Sequence, residues 1–209
     1  MKEDERIRLM LIEDHPIMRM GMVALFATRK NMEVVAQAGS GEEAIGMHAQ
    51  HKPDVTLVDL RLPGMSGVET IRKIRSATPA ARIIVLTTYE GDEDIHQALQ
   101  AGASAYVIKG MPHEVLMDAV ERVHTGRRFL PPGVRRVLES RMPKAELTSK
   151  EREVLIRIAE GKSNREIAQE LGLAEVTIKC RVSVILVRLD VKDRTQAVVI
   201  ALQRGLLHL

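Results

Sequence analysis

Tryptophan is absent from this chain of 209 residues, and its aromatics number four: Phe26, Tyr89, Tyr106 and Phe129. A surface that stacks unpaired bases needs more aromatic faces than that, which argues against a single-stranded nucleic-acid binder. Cysteine is scarcer still. Cys180 stands alone, so no internal disulfide forms, which fits a reducing, cytoplasmic setting. Long hydrophobic runs are missing too. Stretches such as Ile83–Leu86 and Val198–Leu202 fall far short of the roughly 18 apolar residues that cross a membrane. The opening residues, Met1–Arg8, are charged and lead straight into an apolar run, unlike a secretory signal.

What is present is an ordinary globular composition, 45% hydrophobic, with charge divided unevenly. Residues 141–209 hold 13 Lys/Arg against 9 Asp/Glu, leaving 18 against 19 for the rest. A basic C-terminal third beside a near-neutral front points to nucleic acid as the partner of the former.

From Ile7 to about Thr125, short apolar runs alternate with amphipathic stretches. The runs Ile7–Ile12, Val34–Ala38, Val55–Val58, Ile83–Leu86 and Ala105–Ile108 predict five strands. Pro16–Ala27, Gly41–His51, Gly67–Ser76, Asp92–Ala101 and Val115–Val123 predict five helices. Such alternation predicts a doubly wound α/β domain with a parallel sheet. The Gly- and Pro-rich stretch from Gly126 to Gly133 marks a boundary, followed by a short helix at Val134–Ser140 that Pro143 ends. Beyond Leu147 the pattern is helical throughout. Thr148 with Glu151 predicts a capping box on a helix to Glu160, and Ser163 or Asn164 caps a second helix ending before Gly172. A third helix spans about Glu175 to Leu189 and a fourth about Arg194 to Arg204. The expected organisation is an α/β domain at 6–125, a linker at 126–143, and an all-α four-helix domain at 144–209.

Polar residues of the first domain gather at strand ends. Glu13 and Asp14 follow strand one, Asp59 ends strand three, Thr87 ends strand four and Lys109 follows strand five. In strand order 2-1-3-4-5 all five converge on the crevice where ligands of open parallel sheets bind. Alone, each has a plain structural explanation: a helix cap, a strand threonine, a solvated lysine. The coincidence of five at matching ends singles out a site. Three clustered carboxylates repel unless a cation neutralises them, and hard oxygen ligands suit Mg²⁺. Asp59 can then act as a nucleophile toward a phosphoryl group, with Mg²⁺ and Lys109 offsetting the charge on its oxygens.

The stretches Leu11-Ile-Glu-Asp-His15, Leu57-Val-Asp-Leu-Arg-Leu-Pro-Gly-Met-Ser-Gly67, Val85-Leu-Thr-Thr88 and Gly102-Ala-Ser-Ala-Tyr-Val-Ile-Lys109 resemble response-regulator receiver domains, over roughly residues 6–125. The resemblance implies a flavodoxin-like fold, with Asp59 as the aspartyl-phosphate site. It implies that Asp14 and Asp59 bind Mg²⁺ directly, Glu13 through water, and Arg61 through its carbonyl. Thr87 and Tyr106 would be a switch pair, Tyr106 turning inward when Thr87 engages the phosphoryl group. Gly110-Met111-Pro112 departs from the many receivers that place Pro directly after the lysine.

In Glu175–Leu189, Ile178, Val182, Ile185, Leu186 and Leu189 share one helical face. Val176, Cys180, Ser183, Val184 and Val187 lie opposite, flanked by Thr177, Arg181 and Arg188. Small residues bordered by basic ones suit a helix in a major groove. The short Gly172-Leu-Ala-Glu175 turn before it has helix-turn-helix spacing. Leu147-Thr-Ser-Lys-Glu-Arg-Glu-Val-Leu155, Ala159-Glu-Gly-Lys-Ser-Asn-Arg-Glu-Ile-Ala168 and Val176-Thr-Ile-Lys179 resemble the LuxR/NarL-type output domain. By that resemblance Lys179, Cys180 and Ser183 face the bases of double-stranded DNA, while Thr177 and the basic flank hold phosphates. Arg181 stands where histidine is usual and Val184 where a polar residue is usual; Val184 there would meet a thymine methyl. The last helix, apolar around much of its circumference, would form a homodimer contact. A sensor histidine kinase and RNA polymerase are the implied protein partners.

Two other readings differ in class. Haloacid dehalogenase-type phosphatases also use an aspartate nucleophile, but place a second Asp two residues on; here Arg61 stands there. A receiver joined to a protein-docking module would not need the basic flank of Arg181 and Arg188.

Overall fold

The computed structural model describes residues 6–88, 91–139 and 147–207. Ser140 and Pro143, expected to end the short helix, lie outside the described residues. There are two compact units, one chiefly up to Arg136 and one chiefly from Val137 onward.

In the first unit, strands β1 (Ile7–Ile12), β2 (Met32–Ala38), β3 (Val55–Val58), β4 (Ile83–Thr87) and β5 (Ala105–Ile108) alternate with helices. The helices are α1 (Pro16–Ala27), α2 (Gly41–His51), α3 (Gly67–Ala77), α4 (Asp92–Gln100) and α5 (His113–His124). The strands form one parallel sheet in the order β2-β1-β3-β4-β5. This is the doubly wound arrangement expected from the alternation, in the flavodoxin-like order that the resemblance implies. Both faces are covered, so strand residues of both parities are buried and the strands read as continuous apolar runs. Leu9, Leu11, Leu57, Ile84 and Val107 pack with Phe26 of α1 and Leu116, Val120 and Val123 of α5. Met10, Ile12, Val58 and Val85, pointing the other way along the same strands, are equally buried.

Local chemistry sets the helix starts. Pro16 takes the first turn of α1, where its missing N–H costs no hydrogen bond. Ser66 and Glu69 close a capping box at α3. Part of the stretch read as linker is ordered on the first unit. Phe129 donates its N–H to the Ser104 carbonyl and accepts from the Tyr106 N–H, extending the sheet beyond β5. Its ring packs into the α5 side of the core, 5.3 Å from the Arg122 guanidinium. Helix α6 (Pro132–Glu139) follows.

The second unit contains α7 (Ser149–Ala159), α8 (Asn164–Leu171), α9 (Glu175–Leu189) and α10 (Arg194–Gln203). Capping boxes close α7 through Thr148 and Glu151, and α8 through Ser163 and Glu166. Gly172 ends α8 at φ 63°, a left-handed conformation that glycine adopts without a Cβ clash. Val154, Leu155, Ile167, Ile178, Ile185, Leu189, Ala197 and Ala201 form its core.

Candidate functional site

The carboxyl ends of β1, β3, β4 and β5 converge because their registers align: Ile12 lies beside Val58, Val58 beside Val85, and Thr87 beside Ile108. The residues just past these ends therefore meet. Lys109 extends its Nζ to 2.6 Å from Asp59 Oδ2 and to 2.6 Å from Glu13 Oε2. Glu13 and Asp59 are nearly fully buried, and the ammonium supplies their counter-charge. Burial pulls the Lys109 pKa down, but hydrogen bonds and charge from Asp59 and Glu13 outweigh it and hold the group above its ordinary value. Lys109 is therefore a fixed cation.

Asp59 is oriented from both sides. Its Oδ1 accepts the Arg61 backbone N–H at 3.2 Å, while its own backbone N–H donates to the Ile12 carbonyl. The loop behind it is pinned by Gly67. A Cβ on that residue would lie 2.1 Å from the Asp59 carbonyl oxygen, so only glycine lets α3 start so close to the acid. Met65 is held in turn through its N–H by Glu42 Oε1 at 2.9 Å.

Around the crevice, among the described residues, the buried Asp14 Oδ1 and Thr87 hydroxyl have no hydrogen-bond partner, and Glu13 Oε2 has only its ion pair with Lys109. Buried polar atoms are rarely left so, and orphans beside an acidic cluster mark where a ligand binds. The oxygens of Glu13, Asp14 and Asp59 and a nitrogen of His15 lie within 4.8 Å of one another. This donor set, mostly hard carboxylate oxygen, fits a divalent cation. Tyr106, on β5, is fully buried.

All five expected strand-end residues thus stand at one end of the sheet, and contacts join Glu13, Asp59 and Lys109 directly. His15 and Arg19 were not read from the sequence as site residues. His15 Nδ1 approaches both Glu13 and Asp14, and the Arg19 guanidinium donates to the Glu13 carbonyl. The signal for Arg19 was its place one helical turn into α1, just past the acidic pair.

In the second unit, α9 carries a two-sided pattern. Ile178, Ile185 and Leu189 are buried, with Val182 and Leu186 packed beside them. On the other side Val176, Lys179, Cys180, Ser183, Val184 and Val187 are exposed. Lys179 pairs with Glu175 one turn earlier, at 3.0 Å, and Ser183 donates to the Lys179 carbonyl. Thr177 and Arg181 lie half-buried at the border of this face. Arg188, seven residues on from Arg181, lies on the same flank, half-buried, with its Nε 3.4 Å from Glu151 Oε1 at the start of α7. On α10, Ala197 and Ala201 face the core while Val199 and Leu202 are exposed, so one helix has two apolar sides.

Residues 9–121 match the response regulator receiver domain family, and residues 145–201 match the bacterial regulatory proteins of the luxR family. The response regulator protein VraR of Staphylococcus aureus is 37% identical over 97% of this chain and 99% of its own. A structure of RcsB in complex with DNA aligns at TM-score 0.70 and 26% identity, covering 95% of this chain and 98% of that one. A structure of two RcsB dimers on two parallel DNAs aligns at 0.69 and 25% identity, over 95% and 98%.

Proposed function

Since this chain belongs to the response regulators, with a receiver domain followed by a LuxR-type DNA-binding domain, we propose that Asp59 is its phosphoacceptor and that phosphorylation there governs DNA binding. The observation that carries this reading is Lys109 bridging Asp59 and Glu13 at the carboxyl end of the sheet, with a partnerless Thr87 hydroxyl at the end of the intervening strand. The domains extend over 6–125 and 144–209, joined by 126–143.

An Asp59 oxygen attacks a phosphoryl group carried by a sensor histidine kinase. The new O–P bond forms as the donor's bond to phosphorus breaks, yielding an aspartyl phosphate. Asp14 and Asp59 would hold Mg²⁺, with the Arg61 carbonyl and with Glu13 acting through water, and the ion would offset charge on the phosphoryl oxygens. Lys109 does the same from the protein side. The Thr87 hydroxyl donates to a phosphoryl oxygen, and Tyr106 on the adjacent strand stabilises that arrangement from its inward position.

The output is transcriptional and cytoplasmic. Lys179, Cys180, Ser183 and Val184 meet base edges in the major groove, while Thr177, Arg181 and Arg188, on one flank of the helix, hold the phosphate backbone. The exposed side of α10 joins two copies into a homodimer, for which the RcsB dimers on DNA provide a parallel. RNA polymerase is the final partner.

Acetyl phosphate with Mg²⁺ should add one acid-labile, hydroxylamine-sensitive phosphoryl group to the wild type and none to Asp59→Asn. Phosphorylation should tighten operator binding by about 5- to 150-fold, the range of ordinary coupling between sites. Incorporation into Asp59→Asn would move the site elsewhere. Equal operator affinity with and without phosphoryl group at matched salt would sever the two domains functionally.

A further inference from the structure

His15 contributes a nitrogen to the acidic crevice. It occupies the N-cap position of α1 yet makes no side-chain capping bond, and the ring turns back to the carboxylates instead. Its Nδ1 lies 3.0 Å from Glu13 Oε1 and 2.9 Å from Asp14 Oδ1. Glu13 Oε1 already takes the His15 backbone N–H at 3.3 Å, and with the ring proton on Nε2 the Nδ1 lone pair faces both carboxylates. Asp14 Oδ1 is left buried with no donor, although an imidazole nitrogen stands beside it. An oxygen and a nitrogen lone pair face to face are reconciled by a cation between them.

The four donor atoms, one each from Glu13, Asp14, His15 and Asp59, span no more than 4.8 Å. Two ligands held about 2.1 Å from one small cation lie at most about 4.2 Å apart, so small side-chain shifts close the set. Coordination through Nδ1 requires a neutral ring with its proton on Nε2. The His15 side chain is 69% exposed, so water can satisfy that outward N–H. Imidazole nitrogen adds little for Mg²⁺, which keeps to oxygen, but favours first-row transition metals. We propose that His15 Nδ1 is a direct ligand in this crevice and makes it a site for a transition-metal dication such as Co²⁺, bound more tightly than Mg²⁺. This rests on the reading of the crevice as a divalent-cation site.

The test uses the full chain and the variant His15→Gln, which keeps a hydrogen-bond donor beside Glu13 but removes the imidazole. Calorimetric titration should show Co²⁺ affinity falling on the order of 10- to 100-fold in the variant, as when a metal site loses a supporting group, with Mg²⁺ affinity nearly unchanged. Pulsed EPR of bound Mn²⁺ should show a ¹⁴N coupling of imidazole type in the wild type that disappears in the variant. Mg²⁺ binding with no ¹⁴N coupling, or equal losses for Co²⁺ and Mg²⁺, would overturn the ligand role of His15 while leaving the crevice a cation site. If Mg²⁺ and Co²⁺ both fail to bind the wild type, the cation reading of the crevice falls with it.

Discussion

Lys109 Nζ stands 2.6 Å from both Asp59 Oδ2 and Glu13 Oε2, so one ammonium bridges two buried carboxylates at the ends of different strands and leaves the trio net negative. Removing it leaves two like charges in a site where burial already disfavours them. Lys109→Met should destabilise the receiver unit by roughly 3–5 kcal/mol at neutral pH, as when one partner of a buried ion pair is lost. Mg²⁺ should restore part of that loss, because the carboxylates then gain another counter-charge. Urea unfolding followed by circular dichroism, with and without Mg²⁺, measures both effects. A variant as stable as wild type without Mg²⁺ would show the bridge to be energetically idle.

Gly67 and Gly46 separate two uses of glycine. At Gly67 a Cβ would meet the Asp59 carbonyl oxygen at 2.1 Å and the Leu60 Cα at 2.6 Å, backbone atoms that cannot give way cheaply. Gly67→Ala should cost about 1–3 kcal/mol by overpacking, and slow phosphorylation by displacing Asp59. At Gly46, within α2, nothing lies within 4 Å of the added methyl. Gly46→Ala should stabilise by roughly 0.5–1 kcal/mol through helix propensity and leave phosphorylation unchanged. Thermal melts and acetyl-phosphate labelling of both variants check the contrast.

On α9 the three basic residues should behave differently. Lys179 projects from the exposed face, so Lys179→Ala should lose roughly 1–3 kcal/mol at particular base pairs. Arg181→Ala should weaken binding to all duplexes alike and flatten the salt dependence by about one unit. Arg188 is tied to Glu151 of α7, so Arg188→Ala should lower the melting temperature of the DNA-binding unit as well. Titrations on operator and random duplexes across a salt series, beside melts of each variant, resolve the three. A melting temperature unchanged in Arg188→Ala would assign that residue to DNA alone.

His48 gives the receiver unit a pH dependence. It is buried on α2, and burial holds its pKa below the ordinary value. Below about pH 6.5 the unfolded chain takes up a proton that the folded chain resists. Its contribution is therefore fully present above about pH 6.5 and declines as pH falls toward the lowered folded value. Urea unfolding at pH 7.5 and 5.5 should show a larger acid loss for wild type than for His48→Leu. Equal losses would exclude His48 as the source.

Much of this protein is written in local pattern. The helix starts at Thr148 and Ser163 are legible because a capping box needs only residues three apart, and the strands because a doubly covered sheet demands unbroken apolar runs. Two edges differ slightly: β2 begins at Met32, two residues before Val34, because Met32 and Glu33 pair with β1, and α5 begins at His113, directly after Pro112 and two before Val115. Asp59, Glu13, Asp14, Thr87 and Lys109 were legible as a group because parallel strands deliver every strand end to one crevice.

Contacts that join distant residues by side-chain direction alone were not legible. Nothing in the spacing of Glu151 and Arg188 announces that they meet, and Phe129 reads as part of a Gly- and Pro-rich connection until β5 offers it an edge. His15 looked like the residue before a helix-starting proline. The order of elements, the caps and the set of charged strand ends follow from periodicity and from neighbours along the chain. That Lys109 bridges two acids, that Gly67 is held to glycine by the Asp59 carbonyl, and that His15 leaves Asp14 without a donor emerge once the strands and helices are packed. Those outcomes turn on a few tenths of an ångström between side chains far apart in sequence, a distance that no pattern of residue types encodes.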